Sequence, residues 1–396
     1  MAVFLIRNTK KFSGICVAFA LFLGIATQVP GQNTAQGVAS FMQEQDYSKA
    51  LEALEQIPED QRALKDWENL AYCYQMAGQY PYAEGLWNQV LARDSFSAGA
   101  LYHLGQIAVA ESDFAKAIQW QIRLIQFKPD NPFYQKQIAQ TFEAMELDSL
   151  ALPHYQKAVM LNRNDLESIY RLGKISFRAR DFSQTDYWVS QGLASHPDHS
   201  RLRLLELETC YSDAYYTHTL ELLRTYIETH PYTNYIRRIH FIALIHEQRY
   251  DEALAILQSM EEPDNNKENT YYYMYKAYFG LKDLTNARLW LERTIAEGRN
   301  KQEATYHGLL GNLFIEMEFY PQAATHYTRA LEQNGDIQLY YWIARSYDAA
   351  RRYDEAHMHY RMYLRACADE SSVNQQENIN FAAEREKILD AWKRGN

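Results

Sequence analysis

The turn residues Pro129, Arg163, Pro197 and Pro231 stand 34 positions apart, with no insertion between them. A step this regular confines the chain to architectures built by repeating one supersecondary unit and stacking each copy on the last. The 396 residues exceed one ordinary core of roughly 100–200 residues. With 47% apolar and 23% charged residues, the chain can fold and is not a disordered one. Its 16 Gly and 10 Pro are too few for the many turns of an all-β protein.

Aligning on the step exposes the unit. A block from Leu64 puts Trp67 fourth, Leu70 seventh, Ala71 eighth and Tyr74 eleventh; Tyr80 is seventeenth, Ala83 twentieth, Trp87 twenty-fourth and Val90 twenty-seventh. Blocks from Ala98, Pro132 and Leu166 fill the same slots, with Gly105, Ala139 and Gly173 eighth and Ala117 and Ala151 twentieth. The block from Ser200 is degenerate: Glu206 and Thr219 replace Leu and Ala, which predicts a locally distorted stack. The step continues from Asn234 and Glu268, slips by two residues, then resumes from Ala304 and Ile337. A weak first unit carries Tyr47, Ala50 and Leu54, giving ten units over residues 32–370.

Positions 4, 7, 8 and 11 share one stripe of a helix, and so do 20, 24 and 27. Two amphipathic helices joined by a short turn make an antiparallel hairpin. Small residues at 8 and 20 let the two helices approach, and aromatics at 11, 17 and 24 fill the space around them. Proline at 32 stops the second helix. No second domain and no low-complexity linker is visible.

This pattern resembles the tetratricopeptide repeat family over nearly all of residues 32–370. The resemblance implies an all-α, right-handed superhelical solenoid of about ten antiparallel helix-turn-helix repeats, with a concave groove lined by the first helix of each pair. Residues 371–396 read as a C-terminal capping helix and tail, with Phe381, Ile388, Leu389 and Trp392 spaced to dock on the last hairpin.

The N-terminus reads as a targeting segment. Arg7, Lys10 and Lys11 precede the apolar run 12–26, which is short for a membrane span of roughly 20 residues. Residues 1–31 are therefore expected to be a signal peptide cleaved after Gly31, with Ala35 a second option and an uncleaved anchor the alternative. Cys16 lies inside the apolar run after Ile15, which argues against lipidation. Removing three positive charges would take the formal net charge from −10 to −13, which gives no sign of nucleic-acid binding. Cys73, Cys210 and Cys367 are odd in number and far apart, so they read as thiols on helices, at least two of them in the core, and not as a disulfide framework.

Chemistry-bearing motifs are absent. There is no P-loop, GxGxxG, GxSxG or HExxH. His196 and His199 lie at a unit-ending turn, and His357 and His359 point to different faces of one helix. No enzyme activity, cofactor or metal is expected. The slots facing away from the partner helix are more informative. They hold Tyr72, Tyr102, Phe133, Tyr170, Tyr211, Tyr235, Tyr272, Tyr273, Tyr341 and Trp342, with Lys136, Arg171, Lys174, Arg178, Arg201, Arg238 and Lys276 set against Glu143, Glu167 and Glu208. Tyr and Arg are typical of interface hot spots. The two-carboxylate clamp of some family members is not matched, because Gln140 and Arg171 stand where Asn would be needed after Lys136. The expected function is a non-enzymatic scaffold of the bacterial periplasm or cell envelope that binds another protein through an acidic extended segment. Membrane contact would come only through an envelope complex or the uncleaved leader. The alternative is a glycan- or cell-wall-binding module using the same tyrosines.

Overall fold

A computed structural model of the chain describes residues 30–260, 267–297, 302–369 and 376–395. The expected leader lies outside them except for Pro30 and Gly31. Two compact units divide the chain, Met1–Arg163 and Asn164–Asn396. Among the described residues the regular elements are helices.

In the first unit four hairpins follow one another: α1 (Pro30–Gln43) with α2 (Tyr47–Glu55), α3 (Leu64–Met76) with α4 (Tyr80–Arg93), α5 (Ala98–Ala110) with α6 (Phe114–Phe127), and α7 (Pro132–Ala144) with α8 (Asp148–Leu161). The second unit holds α9 (Leu166–Arg178) with α10 (Phe182–Ser195), α11 (Ser200–Ser212) with α12 (Tyr216–Thr229), and α13 (Asn234–His246) with α14 (Tyr250–Gln258). It continues with α15 (Lys267–Gly280) and α16 (Leu284–Glu297), α17 (Glu303–Glu316) and α18 (Tyr320–Asn334), α19 (Gln338–Ala349) and α20 (Tyr353–Asp369), and ends in α21 (Gln376–Gly395). Ten hairpins and a closing helix match the sequence reading. The first helices at Leu64, Ala98, Pro132, Leu166, Ser200 and Asn234 begin on the residues where the blocks begin.

Every hairpin turn contains one residue with φ near +60°: Gln45, Gly78, Ser112, Glu146, Arg180, Ala214, Gln248, Lys282, Glu318 and Arg351. That residue ends the first helix. In the third hairpin the Asp113 N–H donates to the Ala108 carbonyl at 2.8 Å and the Ser112 N–H to Val109 at 3.0 Å, the paired closure of a left-handed C-terminal cap. The second helix then starts at once. Asp46, Asp113 and Asp181 each accept from the backbone N–H three residues on, satisfying a donor the helix leaves open.

Close approach fixes the core. Ala83, Ala117, Ala151, Ala253, Ala287, Ala323 and Ala356, all at position 20, are fully buried. The large side chains at position 24 are buried over them, and their polar tips reach back to the first helix: Trp87 Nε1 donates to Gln75 at 3.2 Å, Tyr155 Oη to Glu143 at 2.8 Å and Tyr360 Oη to Asp348 at 3.4 Å. Gln121 replaces the aromatic in the third hairpin and donates to Thr141 at 2.9 Å. The expected distortion after Ser200 is present. Thr219 is buried at the alanine slot, its hydroxyl turned onto the Tyr215 carbonyl at 2.9 Å, and α11 and α12 pack together least closely of the ten pairs. The thiols of Cys73 and Cys210 are free and buried, and that of Cys367 is free and half-buried.

The closing helix corrects one expectation. Leu389 and Ala382 dock on Tyr341, Tyr360 and Tyr363, and Arg385 grips Asp348 at 2.7 and 2.8 Å. Phe381, Ile388 and Trp392 do not dock fully; they stay 41%, 48% and 42% exposed.

A Cβ at Gly311 would lie 2.4 Å from Tyr327 Cε1, in a ring held by its bond to Asn312 at 2.7 Å. Gly311→Ala is therefore expected to cost about 2 kcal/mol or more through overpacking. A Cβ at Gly105 meets nothing nearer than Gln121 Cγ at 3.5 Å, an ordinary van der Waals contact, so Gly105→Ala should be neutral or gain up to about 1 kcal/mol of helix propensity. Ala214→Gly should gain up to about 1 kcal/mol by relieving its left-handed backbone. Urea midpoints of the three variants test this ordering.

Candidate functional site

The first unit carries an aromatic ladder that starts at Tyr47 of α2 and continues along its first helices. Tyr47 and Tyr72 meet edge-on at 5.8 Å, and Tyr72 and His103 at 5.4 Å. Tyr102 lies 5.1 Å from His103 and 5.4 Å from Phe133. The His103 ring also stacks flat on Trp87 at 4.6 Å. Burial raises the phenols of Tyr72 and Tyr102 and pushes the His103 imidazole down to about 4, because each site penalises the charged form. His103 Nδ1 has no hydrogen-bond partner among the described residues. Lys136 is half-buried on α7, three residues after Phe133. Sequence reasoning placed Tyr72, Tyr102, Phe133 and Lys136 here but missed His103. Its signal is its place between two groove tyrosines in the aligned blocks.

In the second unit the cations divide into two groups. On α9, Arg171 Nε meets Glu167 at 2.7 Å, and Arg201 from α11 meets the same carboxylate at 2.7 Å. The Arg201 guanidinium also covers the Tyr170 ring at 3.8 Å. Burial alone would raise the Glu167 carboxyl, but the hydrogen bonds from Arg201 and Arg171 hold it below its ordinary range. Lys174 meets Glu208 at 3.5 Å, and Tyr235 Oη donates to Glu208 at 2.9 Å. Arg178 is exposed at the last residue of α9, where a cation complements the helix dipole. Arg171, Lys174 and Arg201 of the expected basic stripe are therefore matched by the chain's own carboxylates.

Arg238 on α13 and Lys276 on α15 form the other group. Neither has a carboxylate within ion-pair distance among the described residues. Arg238 lies over Tyr235 at 5.6 Å. Lys276 Nζ stands 5.7 Å from both the Tyr272 and Tyr273 rings, and burial lowers its pKa. Burial lifts Tyr273 to about 12, with Tyr211 adding to the effect; burial and Glu208 together hold Tyr235 well above the ordinary phenol range. The result is a positive, tyrosine-walled patch across α11, α13 and α15. It can receive an anionic group and cover it with aromatic faces.

The remaining two expected residues separate. Trp342 is 41% exposed, as expected. Tyr341 is a correction: it is only 3% exposed, because α21 lays Phe381 on it at 6.1 Å and Tyr363 flanks it at 5.4 Å. Among the described residues no group of three or more His, Cys, Asp or Glu could hold a metal ion. His199 instead caps α11 by accepting from the Leu202 N–H. No described helix is long and apolar enough to cross a membrane.

A family model described as tetratricopeptide repeat matches residues 69–132 and 309–371. No curated protein matches the chain. Among solved structures it is similar to YrrB, described as a TPR protein with an unusual peptide-binding site, at 21% identity and a TM-score of 0.39 over 51% of this chain and 97% of that one. It is also similar to pilF of Pseudomonas aeruginosa (16%, TM-score 0.42, 52% and 93% covered). A tetratricopeptide repeat protein of Parabacteroides merdae gives 13% identity and a TM-score of 0.38, with 72% and 98% covered.

The ladder carries a pH signature. His103 is neutral when folded down to about 4, while unfolded histidine takes up a proton near 6.5. Its contribution to stability is full above 6.5 and is lost as pH falls toward 4, because the unfolded state then binds the extra proton. His103→Phe should keep the stacking and flatten this loss by on the order of 1 kcal/mol. Urea midpoints of both proteins at several values across that window provide the check; parallel curves would remove His103 from the account.

Proposed function

The chain is a tetratricopeptide-repeat protein, and on that premise we propose that it is a non-enzymatic interaction scaffold whose second unit holds an acidic, extended segment of another protein. The observation that carries this reading is the pair Arg238 and Lys276, two cations without carboxylate partners among the described residues, set among Tyr235, Tyr272 and Tyr273. A half-buried ammonium is costly unless an anion joins it. An incoming Asp or Glu supplies that anion, and the rings supply contact area at low entropy cost. Specificity comes from spacing: successive first helices present successive sites, so an extended chain can engage them in order. The scaffold works, on this reading, in the periplasm or cell envelope of a bacterium. Support for that comes from Arg7, Lys10, Lys11 and the apolar run behind them.

A second reading is favoured by the first unit. Its ladder of Tyr72, His103, Tyr102 and Phe133 suits stacking on a neutral sugar ring.

An Asp- and Glu-rich fluorescent peptide, titrated by anisotropy, separates the two. Arg238→Glu with Lys276→Glu is expected to weaken binding by at least about 10-fold, and added salt should weaken the parent complex. Arg171→Glu should matter less, since Arg171 already serves Glu167. Peptide affinity that ignores both the charge reversal and salt would overturn the acidic-segment reading. Salt-independent retention of cell-wall glycan would support the second.

A further inference from the structure

The exposed flank of α21 matches a second copy of itself. Phe381, Ile388 and Trp392 fall within about 40° of one another around the helix axis, at 100° per residue. They make one straight apolar stripe along the helix, beside the docked edge formed by Ala382 and Leu389. The Arg345 guanidinium lies 5.0 Å over Phe381 and the Tyr353 ring sits edge-on to Trp392 at 5.0 Å, so both rings of the stripe are held in place before any partner arrives. A cavity of about 490 Å³ opens next to Phe381 and Ile388, between α19 and α21.

The charges around the stripe choose the occupant. Most charged residues of α21 are already paired: Arg385 with Asp348, Glu386 with His357, Lys393 with Asp354 and Arg394 with Asp390. Glu377, Glu384 and Lys387 are exposed and have no ion pair among the described residues. All three lie on the outer side of the stripe, the acids toward its N-terminal end and the lysine toward its C-terminal end. In an antiparallel pair of α21 helices the same sides meet. Glu384 then faces Lys387 of the other copy, Glu377 faces its Arg394, and Phe381 lies against its Trp392. A two-fold axis makes each of these contacts twice. A parallel two-fold pair would instead set the outer side of one helix against the docked edge of the other, Ala382 and Leu389, and leave Glu384 and Lys387 without an opposite charge.

We propose that the chain forms an antiparallel two-fold dimer through α21, with Phe381, Ile388 and Trp392 at the centre and Glu384–Lys387 ion pairs at the margin. Sedimentation equilibrium of the purified protein tests this. The parent is expected to be half-dimeric at a concentration on the order of 10 μM, in the range of small interfaces. Ile388→Glu should weaken the dimer at least about 100-fold, with helical circular dichroism unchanged because the residue is exposed. Glu384→Lys and Lys387→Glu should each weaken it, and the double variant, which exchanges the two charges, should recover most of the parent affinity. A parent that stays monomeric at about 1 mM would overturn the proposal, since that leaves less than roughly 4 kcal/mol of association. A dimer untouched by Ile388→Glu, or single charge variants that the exchange does not rescue, would overturn it as well.

Discussion

How closely two helices can approach decides everything else in this protein. Interaxial distance is set by the side chains at the crossing. Alanine or glycine at positions 8 and 20 brings the helices of a hairpin together, and the space beside the crossing must then be filled by something large. That is why Trp67, Trp87, Tyr155, Tyr327 and Tyr360 are buried where they are. A buried tyrosine or tryptophan brings a donor that needs an acceptor. The fold provides one from the first helix in Gln75, Glu143 and Asp348. Thr219 and Thr185 both stand buried at the alanine slot with the hydroxyl turned onto the carbonyl four residues back, yet of their two hairpins only α11 and α12 pack loosely, so the threonine alone does not account for that pair. Some of the 31 tyrosines are therefore core material, and their abundance alone says little about binding.

Much of this was legible in the sequence because the step is rigid. A period of 34 fixes the first-helix starts from Leu64 to Asn234 to the residue and the later ones to within one, and the two-residue slip before Ala304 reappears as a 36-residue interval between the left-handed residues Lys282 and Glu318. The turn itself was not legible. Nine of the ten left-handed positions hold residues other than glycine, so no composition marks them. The cap closes with backbone bonds, and the hairpin on either side holds the strained residue in place.

The candidate site was legible in its residue types but not in its balance. Reading the outward slots brought the cations and tyrosines together. It could not say that Glu167 takes two arginines, or that Glu208 takes Lys174 and the Tyr235 hydroxyl. Apart from Arg171, which lies four residues from Glu167 on α9 itself, those pairings join residues about one repeat apart, on neighbouring first helices, and depend on side-chain reach. Tyr341 was misread for a related reason: its slot faces outward in a generic hairpin, but here α21 follows and closes over it. What survives is a smaller patch, Arg238 and Lys276 with their rings.

A small cationic patch on an acidic protein constrains what it can bind. The formal net charge is −10, so at long range the molecule repels acidic partners. Two cations can reverse that sign only locally, within a Debye length of about 8–10 Å at physiological salt. A folded acidic domain would bring most of its charge against the negative remainder of the surface, and repulsion would outweigh two contacts. An extended segment differs, because its carboxylates can enter the patch one at a time while its backbone lies against tyrosine faces. On the proposed reading the negative exterior would reject acidic surfaces and leave the patch to narrow chains. Selectivity of this kind needs few cations, and those without carboxylate partners of their own, the arrangement α13 and α15 present among the described residues.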